Sequence, residues 1–514
     1  MALNQTSLAA AVGSSASNVQ FQSEALNLPR KILIAATYDP LLTSVVPEVP
    51  VQVLSAEDAG AQFGFGFMAH RLALQAFTGG QGTPVYIQPQ AEAGGASAAV
   101  GEIDFTGTTG VVAGTIQLEV ANVSVPVNVA TAATDAEVAT AVAAAITADQ
   151  DLPITASAAL AAVTLTSKSK GPWGNEISIV ISGILPAGVV AAITAMATGA
   201  GIPSMADALD ALGTGDDANE AHFTDFTHGY GVDATTLDAI SDYVGAGNDF
   251  IGLYSKTVSR PFRALTGDVA TGSAGLAALI AVSDVRKLDR ANGVLSVPGS
   301  SSHPAEIAAQ AIGHMARINQ DRVAQHYLGI PLIGIDTGDK ADRWTSDYDN
   351  RDTAVKSGVG PTRVQNGVVT LQNVVTFYRP DSVPVSSNGY RSMRNISILQ
   401  NVLENIRVNF EQEKWQGISI VADTTRVTNI VDRQKARDVD AVKDDLAALA
   451  RSFESKAWLY EAAFTIDRLK LAGSVQIRSG GVGFDSILSI ILSGEGGILD
   501  TVVEFDTSLA VLLN

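Results

Sequence analysis

The chain has no cysteine, which excludes disulfides and any thiolate metal site. Histidine is sparse, with six residues. His222 and His228 are six apart, and His303 and His314 eleven apart. Neither spacing sets two imidazoles on one helical face as H-E-x-x-H does, so a zinc hydrolase has no ligand pair. Positive charge is also scarce: 33 Lys and Arg stand against 53 Asp and Glu, a net charge of −20. That balance excludes nucleic-acid binding by phosphate neutralisation. Between Arg71 and Lys168 there is no basic residue at all, against eight acidic ones. No apolar run reaches about 20 residues, so no transmembrane helix and no membrane insertion are expected. The first residues lack the basic n-region and solid apolar stretch of a signal peptide. Glycine-rich stretches occur at Gly64–Gly66, Gly79–Gly82 and Ser479–Gly483, but none matches a phosphate-binding loop. The acidic run Asp347-Tyr-Asp349-Asn-Arg-Asp352 fails as an EF-hand, because Asp352 stands at the glycine position and Gly358 at the glutamate position. No cofactor or metal is expected.

What is present is length and apolar mass. A chain of 514 residues, 46% hydrophobic, calls for about three domains. Lys31–Ala36 reads as a buried strand, Ser55-Ala-Glu-Asp58 as a capping box, Phe67–Phe77 as a helix and Val85–Gln88 as a strand. That is a β-α-β unit of a parallel sheet. Residues 91–180 change character. Gly114–Val129 alternates around a turn at Ala121-Asn122, Thr134 caps an Ala-rich helix over Asp135–Thr147, and Ala162–Ser167 and Glu176–Ser182 read as strands. The α/β pattern resumes with helices at Ser204–Leu212, Ala234–Val244, Leu276–Val285 and Pro304–Asn319. Strands are expected at Phe250–Tyr254 and Gly293–Val297, then a long acidic loop over Asp336–Pro361. Residues 391–514 carry 14 basic and 17 acidic side chains, so nearly all the negative charge lies upstream. A helix from about Ile396 should bury Ile398, Leu399, Val402, Leu403, Ile406 and Phe410. A second is marked by Val439, Val442, Leu446, Leu449, Phe453 and Ala457, and Val475–Arg478 reads as a strand.

Three stretches carry a family resemblance: LPRKILIAATYDP (Leu28–Pro40), SKSKGPWGNEISI (Ser167–Ile179), and the run from Asn366 to Asn409. In order and spacing they resemble contractile-tail sheath proteins of bacteriophages, especially the Mu-like branch. The second is similar to the turn that returns the chain from an inserted domain. The resemblance implies a multi-domain α/β protein with a subtilisin-like α/β core (28–90 and 181–390). It adds a β-rich outer insert (91–180), an N-terminal arm (1–27) and an α+β C-terminal domain ending in a strand arm (391–514). It implies a structural subunit, not an enzyme. Such subunits stack as hexameric rings in a helical sleeve around a tail tube protein, meet baseplate and tail terminator proteins, and contract to drive the tube through the host envelope for genome ejection. The expected location is the virion, after assembly in the host cytoplasm.

Inter-subunit arms, exchanging strands along an open sheet edge, are expected at Val19, Phe21, Leu26 and Leu28, and at Val502, Val503 and Phe505. The tube contact is expected on a helix beginning near Asp432, through Arg433, Lys435, Arg437 and Lys443; the plain alternative is a solvated helix with i,i+3 ion pairs. A contractile bacteriocin-like particle would use the same subunit. An α/β hydrolase is the alternative of another class. Its only local match is Ser300-Ser-Ser-His303 with Asp284 or Asp289, a sequence that equally makes a turn into a helix with Pro304 in its first turn.

Overall fold

The computed structural model describes residues 25–213, 222–244, 263–379 and 388–494. They form two compact units: residues 25–26 with 405–491, and residues 27–404 with 492–494. The expected strand at 250–254 lies outside the described residues.

The larger unit is built on a nine-stranded sheet. Its centre is parallel: Val85–Gln90, Ile32–Thr37, Asp225–His228, Arg263–Asp268, Asn292–Ser296 and Gly360–Gln365 lie side by side. Antiparallel strands close both edges, Val51–Val53 on one side, Val368–Leu371 and Pro331–Leu332 on the other. Ile32–Thr37 and Asn292–Ser296 are buried throughout, as strands covered on both faces must be. Local chemistry sets the helix starts. The Ser55 hydroxyl accepts from the Asp58 amide to start Ala56–Phe63, and Gly64, at φ 99°, ends that helix. Ser204 caps Met205–Ala211. Helices Met68–Gly79 and Pro304–Asp321 cross closely because glycines face each other. A Cβ on Gly313 would stand 2.4 Å from the Ala76 carbonyl oxygen, and one on Gly79 2.1 Å from that of Gln310.

Residues 100–197 hold two small sheets. One orders Ala192–Ala197, Val100–Asp104, Ala162–Ser167 and Ile154–Ala159; the other Val123–Val129, Gly114–Val120 and Ile179–Ser182. Ala121 and Asn122 both take positive φ, 48° and 63°, the geometry of a type I′ hairpin turn. Thr134 and Glu137 complete a capping box on Asp135–Ala148. The chain enters and leaves this region side by side, with Ser97 and Ala200 exchanging backbone hydrogen bonds of 2.9 and 3.1 Å.

Three sequence expectations need correction. The loop over Asp336–Pro361 contains a helix, Tyr348–Lys356, capped by the Asp347 carboxylate, and Asp352 pairs with Lys356 on it. The helix expected from about Ile396 begins at Met393 and runs to Glu411. The helix expected near Asp432 is two elements. A short one, Ile430–Lys435, precedes Val439–Ser455, which starts afresh because Asp438 turns its carboxylate onto the Ala441 amide.

The smaller unit packs Val439–Ser455 against the helix Ala462–Leu469 and the hairpin Val475–Ile477/Phe484–Ser486. Val442, Leu446, Leu449 and Phe453 are buried as their spacing predicts. No helix among the described residues is long and apolar enough to cross a membrane.

Candidate functional site

The Ser300–His303 group does not assemble into a nucleophile and base. Ser300 Oγ donates to the Asp336 carbonyl, and Ser302 Oγ accepts from the Asp336 amide. His303 is the N-cap of Pro304–Asp321. Its Nδ1 accepts from the Ala305 amide at 3.2 Å, so Nε2 carries the proton and donates to the Trp173 carbonyl at 3.0 Å. Burial pushes the imidazole down to about 3, so it stays neutral. Asp289 is occupied by the Ala291 and Asn292 amides, and Asp284 by Arg379. A cleft of about 320 Å³ does open at the carboxyl ends of the parallel strands, lined by Trp173, Glu176, Tyr230, Asp268 and His303. α/β sheets commonly bind ligands there. Burial and the nearby Asp268 raise the Glu176 carboxyl, and burial raises that of Asp268. Among the described residues no three acidic or histidine side chains are grouped to hold a metal.

The turn Gly171-Pro-Trp173-Gly-Asn175 ties three segments of the larger unit together. Trp173 stacks on His303 with ring centroids 3.6 Å apart. Gly171, at φ 104°, brings its carbonyl against Gly199, and Asn175 both donates to and accepts from the Gly199 backbone. A Cβ on Gly174 would stand 2.7 Å from Ala99 and Ser167 side chains. The turn between two strands of the small sheets is thus locked to the start of a core helix.

The helix Met393–Glu411 buries a polar stripe that hydrophobic periodicity did not reveal. Arg394, Ser397, Gln400, Asn401 and Asn405 are all buried, while Leu399, Leu403, Ile406 and Phe410 are only half-buried. This stripe satisfies the incoming chain. The Asn401 side chain accepts from the Leu28 amide at 2.7 Å. Asn405 accepts from the Leu26 amide at 2.7 Å and donates to its carbonyl at 2.8 Å. Gln400 and Ser397 accept from the Arg30 guanidinium. Leu26 is 64% exposed and Leu28 4%; neither belongs to a strand. Of the other expected arm residues, Val19, Phe21, Val502, Val503 and Phe505 lie outside the described residues. The recurrence of Asn and Gln at spacings of three and four was the available signal for the stripe.

The four expected tube-contact residues are divided. Lys435 Nζ donates to the carbonyls of Glu413 and Gln416. Arg437 donates to those of Lys414, Gln434 and Ala436 and lies over Trp415 at 5.6 Å. Lys443 pairs with Asp440 at 3.5 Å. Arg433 is exposed. Arg433 and Arg437 line a cleft of about 780 Å³ together with Lys414, Trp415, Asp444 and Asp445.

These features define a multi-body α/β protein. No family model matches the chain. A curated relative does: the chain is 33% identical over 133 residues to the Mu-like prophage FluMu tail sheath protein of Haemophilus influenzae, covering 25% of this chain. The match spans about a quarter (27%) of that relative's length. The resemblance to Mu-like tail sheath proteins therefore holds in direct sequence comparison. Among solved structures, the sheath tail protein of Desulfitobacterium hafniense aligns over 93% of this chain and 100% of its own, with 11% identity and a TM-score of 0.44. That of Listeria innocua aligns over 92% and 94%, with 12% identity and a TM-score of 0.46.

Proposed function

We propose that this protein is the sheath subunit of a contractile phage tail. In this reading it polymerises as stacked hexameric rings around a tail tube and contracts to drive the tube through the host envelope for genome ejection. The observation that carries the reading is the 33% identity to a Mu-like tail sheath protein. The occupied Ser300, His303 and Asp289 side chains fit a structural role better than a hydrolase. A contractile bacteriocin-like particle would need the same subunit.

The working parts follow from the reading. The core, residues 28–90 and 181–390, is of the subtilisin-like α/β kind, apart from Ala192–Ala197, which pairs with Val100–Asp104 in a small sheet. Residues 91–180 face outward, where the acidic side chains of the base-free stretch up to Lys168 keep them solvated. Residues 391–514 form the C-terminal domain. The arms, with Val19, Phe21, Leu26 and Leu28 at one end and Val502, Val503 and Phe505 at the other, exchange strands between neighbours. The Asn401 and Asn405 amides support this by clamping the backbone where the first arm meets the body. Arg433, Lys435, Arg437 and Lys443 face an acidic tube. Partners are other copies, the tube, the baseplate and the tail terminator; the protein resides in the host cytoplasm and then in the virion.

Negative-stain electron microscopy of the concentrated full chain tests this. Hollow tubes with a helical repeat are expected, and a chain lacking residues 2–20 should fold but form none. A full chain that stays monomeric even when co-expressed with its tube and baseplate proteins would overturn the reading.

A further inference from the structure

Lys340, Arg343, Arg351 and Arg363 converge on one pocket of about 270 Å³. The remaining lining residues are Thr345, Ser346 and Val364, with no carboxylate among them. Four cations at one point are unexpected in a chain of net charge −20. Elements far apart in conformation bring them together: the segment before the turn Trp344–Ser346, the helix Tyr348–Lys356 and the strand Gly360–Gln365.

Local acceptors use up only part of this donor set. Arg343 gives Nε and Nη2 to the Gly338 carbonyl and Nη2 also to Thr337 Oγ1. Arg351 gives Nη1 to the Thr345 carbonyl at 2.7 Å and lies over the Tyr348 ring, yet its Nε is buried with no partner. Among the described residues Lys340 and Arg363 make no ion pair. Of the carboxylates beside the pocket, Asp347 accepts from the Asp349 amide and Asp352 pairs with Lys356. Burial and the Arg363 charge both push the Arg351 guanidinium down, with Asp347 opposing. Converged like charges with unspent donors cost free energy unless an anion sits between them, and guanidinium forks match the oxygens of phosphate and carboxylate.

We propose that this pocket binds a single oxyanion held by Arg351, Arg363 and Lys340, with Arg343 fixing the pocket wall. A free phosphate and a side-chain carboxylate of a second copy share that chemistry. The stretch from Arg71 to Lys168, with eight acids and no base between them, supplies carboxylates of the second kind. The proposal stands independently of the sheath reading.

The test is calorimetric titration of the full chain with inorganic phosphate at low ionic strength, beside sedimentation of the same protein. Saturable one-to-one binding is expected, weakened about tenfold or more by Arg351→Gln or Arg363→Gln, as losing a charged hydrogen bond requires. Lys340→Gln, at an exposed position, keeps the test valid should an arginine variant misfold, and it too should weaken binding. Self-association that phosphate reverses and Lys340→Gln abolishes would assign the anion to a second copy. A monomer that binds phosphate would assign it to the free ion. An equal response to chloride at matched ionic strength, or neither phosphate binding nor phosphate-sensitive association, would overturn the proposal.

Discussion

Replacing Asp225 by Asn removes the one carboxylate from a buried cluster that holds two guanidinium groups. Arg263 and Asp225 are both fully buried, and Arg263 Nε donates to Asp225 at 2.6 Å. Arg263 also donates to Asn319 at 2.9 Å, to the Met393 carbonyl at 3.1 Å and to the Tyr327 hydroxyl. Arg30 is fully buried as well. Burial lowers it to about 10, Asp225 opposes that fall and Arg263 adds to it. Breaking a buried ion pair by removing one partner costs about 3–5 kcal/mol. Asparagine keeps an acceptor oxygen and Arg263 keeps three others, so Asp225→Asn belongs at the low end, about 3 kcal/mol. Asp225→Ala also loses the bond from Thr224 Oγ1 and belongs near 5 kcal/mol, an order-of-magnitude figure. With an unfolding entropy of about 2 cal/mol/K per residue over a unit of roughly 400 residues, these costs lower Tm by roughly 4–6 °C. Scanning calorimetry of the larger unit's transition measures it. The double variant Asp225→Leu/Arg263→Met should recover most of the loss, because Arg30 then loses an attractive and a repulsive neighbour together. A fall in Tm below about 1 °C for Asp225→Asn, or a double variant less stable than both singles, would refute the reasoning.

Gly313→Ala drives a methyl into the Ala76 carbonyl and should cost roughly 1–3 kcal/mol in urea unfolding. The Glu48 carboxyl is raised to about 7 by burial and by Asp207. Its contribution to stability is full below the unfolded value of 4.5 and is lost as pH rises through about 7. Glu48→Gln should therefore raise Tm at pH 8 relative to the parent and leave it nearly unchanged at pH 4.5, and the opposite order would contradict it. Burial lowers His228 to about 4 and His303 to about 3, so both are neutral when folded. Their contribution is full above about 6.5 and falls as pH drops toward 4, by about 2 kcal/mol each at pH 5; Tm measured from pH 7 to 5 should fall accordingly. Reversing Arg433 and Lys443 to Glu should weaken co-sedimentation with the tube while leaving the far-ultraviolet spectrum and Tm unchanged; undiminished co-assembly counts against the tube contact.

Short-range chemistry was legible. Ser55 and Thr134 cap helices, and Ala121-Asn122 turns a hairpin, because each effect acts across two to four residues. The helix Tyr348–Lys356 was not, since only Ala354 on it is buried and it has no apolar period. Nor was the strand Ala192–Ala197, an edge strand with five of six residues exposed and an alanine-rich composition that favours helix. The polar stripe on Met393–Glu411 was hidden because buried amides count as surface in a hydrophobic pattern. The Arg30, Asp225 and Arg263 cluster comes together only through the pairing of parallel strands, and the four cations of the pocket, though close in sequence, fall at no regular helical or strand spacing. Of the arms, only the root at Leu26 and Leu28 lies among the described residues.

The paired backbone of Ser97 and Ala200 has a consequence for how this chain can change. Because the two strands leading into and out of the small sheets are already bonded to each other, the intervening hundred or so residues form a detachable cassette. Closing a loop whose ends already touch costs little, and a longer loop adds only about 0.6 kcal/mol per doubling. A foreign domain with adjacent termini could take the place of residues 98–199 only by giving up the stack of Trp173 on His303 and the bond from the Met68 amide to Ser169. The same junction lets this region drift in sequence and size while the sheet beneath it stays fixed.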